Sequence, residues 1–367
     1  MRILILSCNT GEGHNACARA VREALEARGA TCDVVDGLRF VSPAVSAFIS
    51  RWHVRLYRRM PRFYCRAYDY ADRHAHMMNA DALICRILGL GCGRLRAFIA
   101  EGGYNAVLST HLFPAIMLTR MQRRDPLSVR TGFIATDYTA SPGCGAIATD
   151  WSFIPDPALT DDFIAAGIPR GSLVPSGIPV RGAFREARPP RREGARRQVL
   201  LMSGSMGCGP ILRLVGELDA QLGEADITVI CGSNARLQRQ LERRFAGSPR
   251  VRVHGRVENV PELMDAADLY LTKPGGISVT EACAKELPLL LIPVVGGCEG
   301  YNLRFFVRAG AARASEMSDP PGRIARMAAE LLEDGEALAA MRAQMAAMRR
   351  PDAAQTICDI LTGAVTI

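Results

Sequence analysis

The sequence predicts an α/β protein built from two doubly wound, Rossmann-like domains. Three observations predict it. Short apolar runs end on a polar residue or a glycine loop and alternate with helical stretches, as in parallel strands joined by crossover helices. The pattern stops at an Arg- and Pro-rich stretch near the middle of the chain and then starts again. The 367 residues suffice for two domains of ordinary size.

In the first half, Arg2–Ser7 is an unbroken apolar strand of the kind that a parallel sheet buries on both faces. The loop that follows carries Gly11, Gly13 and His14, and a helix is predicted over Asn15–Arg28, closed by Gly29. "TCDVVD" (31–36), "AVLSTH" (106–111) and "TGFIATD" (131–137) are the next strands. Ligands of such sheets lie beyond the carboxyl ends of the strands, so His14, His111 and Asp137 are predicted to share one crevice. "FREARPPRREGARRQ" (184–198) has no apolar period and reads as an exposed linker. The division expected is a first domain at 1–182, a linker at 183–197 and a second domain at 198–367.

In the second domain, "QVLLMSGSMG" (198–207) reads as a strand and a glycine loop. "DITVICG" (226–232), "VRVHG" (251–255), "DLYLTKPGG" (268–276) and "LPLLLIPVVGG" (287–297) repeat the pattern, with helical stretches between them. A late helix is predicted over Glu336–Met348. The final apolar segment "TICDILTGAV" has the composition to pack back on the first domain.

Apolar residues make up 49% of the chain and charged residues 22%, a globular composition. The formal net charge of +8 favours an anionic partner. The 12 cysteines form no C-x-x-C pair and have no zinc-finger spacing with histidine, so reduced thiols in a cytoplasmic protein are expected, and no metal. No apolar run reaches the roughly 18 residues of a spanning helix, and the apolar start is too short for a signal peptide.

Gly11, Gly13 and Ala16 satisfy a G-x-G-x-x-G/A fingerprint, and Asp36 ends the next strand where a ribose-binding acid would stand. That alone would suggest a nicotinamide site. A stronger signal lies downstream, where Pro274-Gly275-Gly276 ends a strand and a helix follows over about Ile277–Lys285. Free N–H groups and the helix dipole there suit a diphosphate. Ser278 can cap or donate, and Glu281, one turn in, can accept from a sugar diol. A plain strand–turn–helix connection, with Glu281 on a solvated face, fits these residues equally well. Gly204 and Ser205 of the earlier loop offer further phosphate-facing amides, and Glu299 and Asn302 of "GGCEGYN" suit sugar hydroxyls. With the nucleotide placed downstream, His14 is better read as a general base than as a helix cap, because an imidazole titrates near neutrality.

From Arg39 to Tyr70 aromatic and basic residues interleave. Trp52, Leu56 and Tyr57/Met60 recur at helical spacing beside Arg55, Arg58 and Arg59, and Phe63 follows Pro61. This is the pattern of an interfacial helix on an anionic membrane. A core helix with solvated arginines is the alternative; nucleic-acid binding has the same raw materials but no supporting motif.

"NTGEGHNACARAV", "GIPVR" (177–181), "TKPGGISVTEA" (272–282) and "GGCEGYN" together resemble the monogalactosyldiacylglycerol synthase and processive diacylglycerol glucosyltransferase family, over nearly the whole chain. The resemblance implies a GT-B architecture of two Rossmann-like domains facing across a cleft, and inverting, metal-independent transfer from a UDP-hexose. It implies diacylglycerol or glycosyl-diacylglycerol as acceptor, at the inner face of the cell membrane. His14 matches the family's N-terminal-domain histidine. Gly275, Gly276 and Ile277 match its diphosphate turn and Glu281 its ribose-binding glutamate. Glu299 and Asn302 match the donor-sugar loop, and Gly255–Val257 (hence Arg256 and Val257) the stretch that packs on uracil. Gly13 joins the expected donor contacts. Cys298 stands where the family has Gln, and one extra residue follows Pro293, so that Gln's hexose contact is not carried over. A transferase for a polyprenyl-linked precursor, a UDP-sugar 2-epimerase and a non-catalytic UDP-sugar sensor are the alternative functions.

Overall fold

In the computed structural model, the chain is described over residues 1–9, 11–74, 82–189, 194–205, 207–294 and 296–364, the side chains of 53, 54, 57–59, 61, 62 and 64 apart. It divides into two compact units: Met1–Gly182 with Arg350–Ile367, and Ala183–Arg349.

The first unit runs β1 (Arg2–Ser7), α1 (Glu12–Glu26), β2 (Thr31–Asp36), α2 (Pro43–Arg59), α3 (Pro61–Arg73), α4 (Leu83–Gly89), α5 (Cys92–Gly102), β3 (Ala106–Ser109), α6 (Leu112–Arg124), β4 (Arg130–Ile134), β5 (Trp151–Phe153), α7 (Thr160–Ala165) and β6 (Leu173–Val174). Its six strands are parallel in the order β2-β1-β3-β4-β5-β6. Ile3–Leu6, Val107 and Leu108 are fully buried, because helices cover both faces of the sheet. Strand order reverses between β1 and β3, which opens a crevice at their carboxyl ends.

The second unit runs β7 (Gln198–Met202), α8 (Ile211–Gln221), β8 (Asp226–Ile230), α9 (Ala235–Arg244), β9 (Val251–His254), α10 (Val260–Ala266), β10 (Leu269–Thr272), α11 (Gly276–Ala284), β11 (Leu289–Leu291), α12 (Cys298–Arg308), β12 (Ala312–Ala314), α13 (Pro321–Glu333) and α14 (Gly335–Met348). Its sheet is also parallel, in the order β9-β8-β7-β10-β11-β12, with the reversal between β7 and β10. Val199, Leu201, Val229, Leu269 and Leu271 pack with Leu214, Leu218, Ile324 and Leu331 into one apolar core on the α8/α13 side.

The last helix, α15 (Ala353–Thr362), packs on α1 of the first unit, and Arg28 pairs with Asp359 at 2.8 Å. Its approach is tight. Gly177 has φ +92°, and a Cβ there would lie 2.5 Å from Cβ of Arg350 and 3.3 Å from that of Ala353. The stretch expected as a linker starts against the second unit. Arg188 donates to the carbonyls of Asp265 and Ala267, and Lys285 donates to that of Glu186.

The opening helix differs from expectation. It begins at Glu12 rather than Asn15, so His14 sits in its first turn and not in the preceding loop. Gly11 is the extended N-cap, and Glu12 in the first turn suits the helix dipole while bonding Arg19 at 3.3 Å. Asp36, the candidate ribose ligand of the dinucleotide fingerprint, is already engaged. It caps the following turn through Leu38 N–H at 3.0 Å and accepts from Ser46 and Asn9.

Candidate functional site

Two constellations stand at the two switch points, one in each unit. In the first, His14 is held by the strand end after β3. Its Nδ1 lies 2.7 Å from the Thr110 carbonyl, and Thr136 Oγ1, beyond β4, is 3.1 Å from the same nitrogen. The Thr110 hydroxyl in turn donates to the His14 carbonyl at 3.1 Å. A carbonyl only accepts, so Nδ1 carries the proton and Nε2 keeps its lone pair. Burial pushes the His14 pKa below its usual value, against a smaller raising effect of the Thr110 hydrogen bond. The neutral imidazole is therefore the stable form near pH 7, a base whose second nitrogen fixes the tautomer.

His111 stands edge-on to His14, with ring centroids 4.5 Å apart. It is the N-cap of α6: its Nδ1 accepts from Phe113 N–H at 3.1 Å, which puts its own proton on Nε2. Asp137 follows Thr136 at the end of β4 and is half-buried. Sequence reasoning thus named His14, His111 and Asp137 but not Thr110 and Thr136, the residues that touch the His14 ring. Both had a usable signal, since each lies one residue from a strand-end residue that was named.

In the second unit, β7 and β10 pair in register up to Met202 and Thr272, and Thr272 Oγ1 ties the two ends through the Met202 carbonyl at 2.7 Å. The loops that follow are therefore neighbours. Gly275 is the N-cap of α11, and Gly276, Ile277 and Ser278 form its first turn. The first intrahelical bond is Val279 N–H to the Gly275 carbonyl, at 3.1 Å, so the three preceding amides have no partner within the helix. Glu281 lies half-buried one turn along, beside the fully buried Tyr270. Burial raises the Tyr270 hydroxyl pKa, and the Glu281 charge adds to the effect. Asn302, fully buried, donates to the Pro274 carbonyl at 2.9 Å and so fixes the turn before α11.

Gly204, just past the end of β7, takes φ +67°, and Ser205 beside it is exposed. That loop packs against the one after β8: Ser233 N–H donates to the Ser205 carbonyl at 2.8 Å and Asn234 to that of Gly207 at 3.1 Å. Arg256 and Val257 follow the edge strand β9 at the same end of the sheet, Arg256 exposed and Val257 half-buried. Sequence reasoning passed over Lys273, which stands between β10 and the Pro274–Gly276 turn and is salt-bridged to Glu299 in the first turn of α12.

The basic, aromatic stretch forms α2 and α3. Phe48, Trp52, Met60, Phe63 and Tyr70 are all large apolar side chains left exposed. The Phe48 and Trp52 rings lie 5.7 Å apart and tilted to one another, with the Arg55 guanidinium over the Trp52 ring. An exposed set of this kind does not fit a core helix. The side chains of Tyr57, Arg58 and Arg59, also expected on this surface, lie outside the described residues. Among the described residues, no helix is long and apolar enough to cross a membrane.

Comparison with known proteins gives two family matches, one in each half of the chain. Residues 14–180 match the family described as monogalactosyldiacylglycerol (MGDG) synthase, and residues 198–357 match the glycosyltransferase family 28 C-terminal domain. A processive diacylglycerol beta-glucosyltransferase of Bacillus pumilus is 27% identical, over 98% of this chain and 94% of its own. Among solved structures, MurG of Acinetobacter baumannii aligns with a TM-score of 0.67 at 14% identity, over 99% of both chains. A UDP-GlcNAc 2-epimerase of Neisseria meningitidis, bound to UDP-GlcNAc, aligns at 0.62 and 13%, over 99% of this chain and 100% of that one. At such identities these likenesses speak for the fold alone, which is the GT-B class that the sequence predicted.

Proposed function

We propose that this chain, whose residues 14–180 match the MGDG synthase family and whose residues 198–357 match the glycosyltransferase family 28 C-terminal domain, transfers a hexose from a UDP-sugar to diacylglycerol or glycosyl-diacylglycerol, inverting the anomeric centre. The acceptor is supported by curated relatives named processive diacylglycerol beta-glucosyltransferase, which align along nearly the full chain. The single observation that carries the chemistry is the His14 geometry. An imidazole pinned through Nδ1–H, with Nε2 bare and its pKa lowered, is a general base awaiting a hydroxyl.

In this reading, His14 Nε2 takes the proton of the lipid's terminal hydroxyl as that oxygen attacks the anomeric carbon. The C–O bond to the diphosphate breaks in the same displacement, and UDP leaves with the electron pair. Amides of Gly276, Ile277 and Ser278 receive the diphosphate charge and stabilise the transition state without reorganising. Glu281 accepts from the ribose diol, and Glu299 faces the hexose. Neither step draws on a metal ion.

The aromatic and basic face of α2 and α3 docks the enzyme on the cytoplasmic leaflet. Its support is the exposure of Phe48, Trp52, Met60 and Phe63 beside Arg55. The test is to incubate the protein with UDP-glucose or UDP-galactose and diacylglycerol in anionic vesicles, then read lipid mass and anomeric configuration. A lipid one hexose heavier, of β configuration from an α-linked donor, supports the reading. Donor conversion without glycolipid, or no consumption of donor, contradicts it.

A further inference from the structure

We propose that Lys273 is a binding residue for the donor's β-phosphate, held in readiness by Glu299; this rests on the UDP-sugar reading above. The side chain leaves the end of β10 and runs across the glycine of the neighbouring loop. A Cβ on Gly204 would collide with Lys273 Cε, and its Nζ lies 3.7 Å from that point. The same Nζ lies 3.1 Å from where a Cβ on Gly275 would stand. The ammonium is thus bracketed by two glycines, one from each loop of the β7/β10 switch point, where ligands of doubly wound sheets bind. The absence of side chains at both positions is what lets it stand beside the first-turn amides of α11.

Glu299 supplies the second half of the argument. The Lys273 and Glu299 side chains retain only 17% and 11% of their exposure. A pair so far removed from water is costly to desolvate and adds little net stability, so its retention points to another use. Glu299 opens α12, from which Asn302 reaches back to the turn before α11. The carboxylate, the ammonium and the helix N-terminus therefore belong to one cluster. A carboxylate alone in this position would repel a diphosphate. With Lys273 interposed, an incoming diphosphate meets a compact positive charge instead. The leaving UDP has a terminal β-phosphate that UMP lacks, and Lys273 faces that difference.

The experiment compares UDP and UMP binding by calorimetry in the native protein and in Lys273→Met, Lys273→Met/Glu299→Gln and Glu299→Gln. The double variant removes both charges, so no uncompensated carboxylate is left buried to threaten folding. Thermal melting accompanies each variant. Losing a charge-assisted hydrogen bond to phosphate is expected to weaken UDP about 10- to 100-fold in both Lys273 variants and to leave UMP within about threefold. Glu299→Gln alone is expected to tighten UDP several-fold, because it removes the competing anion. If UDP and UMP weaken together, or neither changes, Lys273 serves only to position Glu299 and the proposal falls. If the native protein itself fails to bind UDP, the donor reading falls first and takes this proposal with it.

Discussion

Replacing His14 separates catalysis from stability. In His14→Ala the Thr110 carbonyl loses the Nδ1–H donor that lies 2.7 Å away, and Thr110 is fully buried. An orphaned buried acceptor costs about 1–3 kcal/mol. For a unit of roughly 150–250 residues that lowers Tm by about 2–4 °C per kcal/mol, which leaves the protein folded at an ordinary assay temperature. Loss of a general base costs about 10²–10⁴ in turnover, or roughly 3–5 kcal/mol of barrier. The two effects differ in kind, and His14→Gln pulls them apart. Its side-chain amide can still donate to Thr110 but offers no basic nitrogen, so it is expected to recover most of the lost Tm and none of the rate. The assay is glycolipid formation from UDP-hexose and diacylglycerol in anionic vesicles, with UDP affinity measured alongside. Turnover of His14→Gln within about threefold of native would refute the base assignment.

Four further outcomes are expected. Burial holds the His14 pKa below 6.5, so the acidic limb of kcat/KM is centred below that value and disappears in His14→Gln. The unfolded chain takes up this proton first, so the group's contribution to stability is complete above 6.5 and declines as pH falls through and below it; denaturant titrations across pH 5–8 read the slope. Trp52→Ser with Phe63→Ser removes two exposed aromatic anchors and is expected to weaken binding to anionic vesicles at least tenfold without changing Tm; an unchanged vesicle affinity discards the interfacial role of α2 and α3. Gly177→Ala places a Cβ 2.5 Å from that of Arg350 at φ +92°, and is expected to cost about 2–4 kcal/mol, seen as a fall in Tm on the order of 10 °C.

The sheets were legible because buried parallel strands announce themselves. "RILILS" and "DLYLT" are apolar on both faces, and each ends where a polar residue or glycine begins the ligand-facing loop. The same rule found His14, His111 and Gly275. It missed β5, β6 and β12, which have two or three residues each and no room for a period. It also misplaced the start of α1, because Gly11 can serve either as loop or as N-cap and nothing local decides. The pairings escaped for another reason. Thr136 reaches His14, and Glu299 reaches Lys273, only once strand order is known. Each partner lay inside or beside a motif already noticed, but a sequence does not say which strand ends are neighbours. Asn302 shows the limit from the other side: its type suited a sugar hydroxyl, while its amide is given to the Pro274 carbonyl.

The most direct measurement is amide hydrogen exchange with and without UDP. With UDP bound, exchange is expected to slow in peptides covering 273–281, centred on the amides of Gly276, Ile277 and Ser278, with little change at 11–20. Protection of 11–20 with none at 273–281 would contradict it, because the nucleotide would then sit in the unit that is held to carry the base.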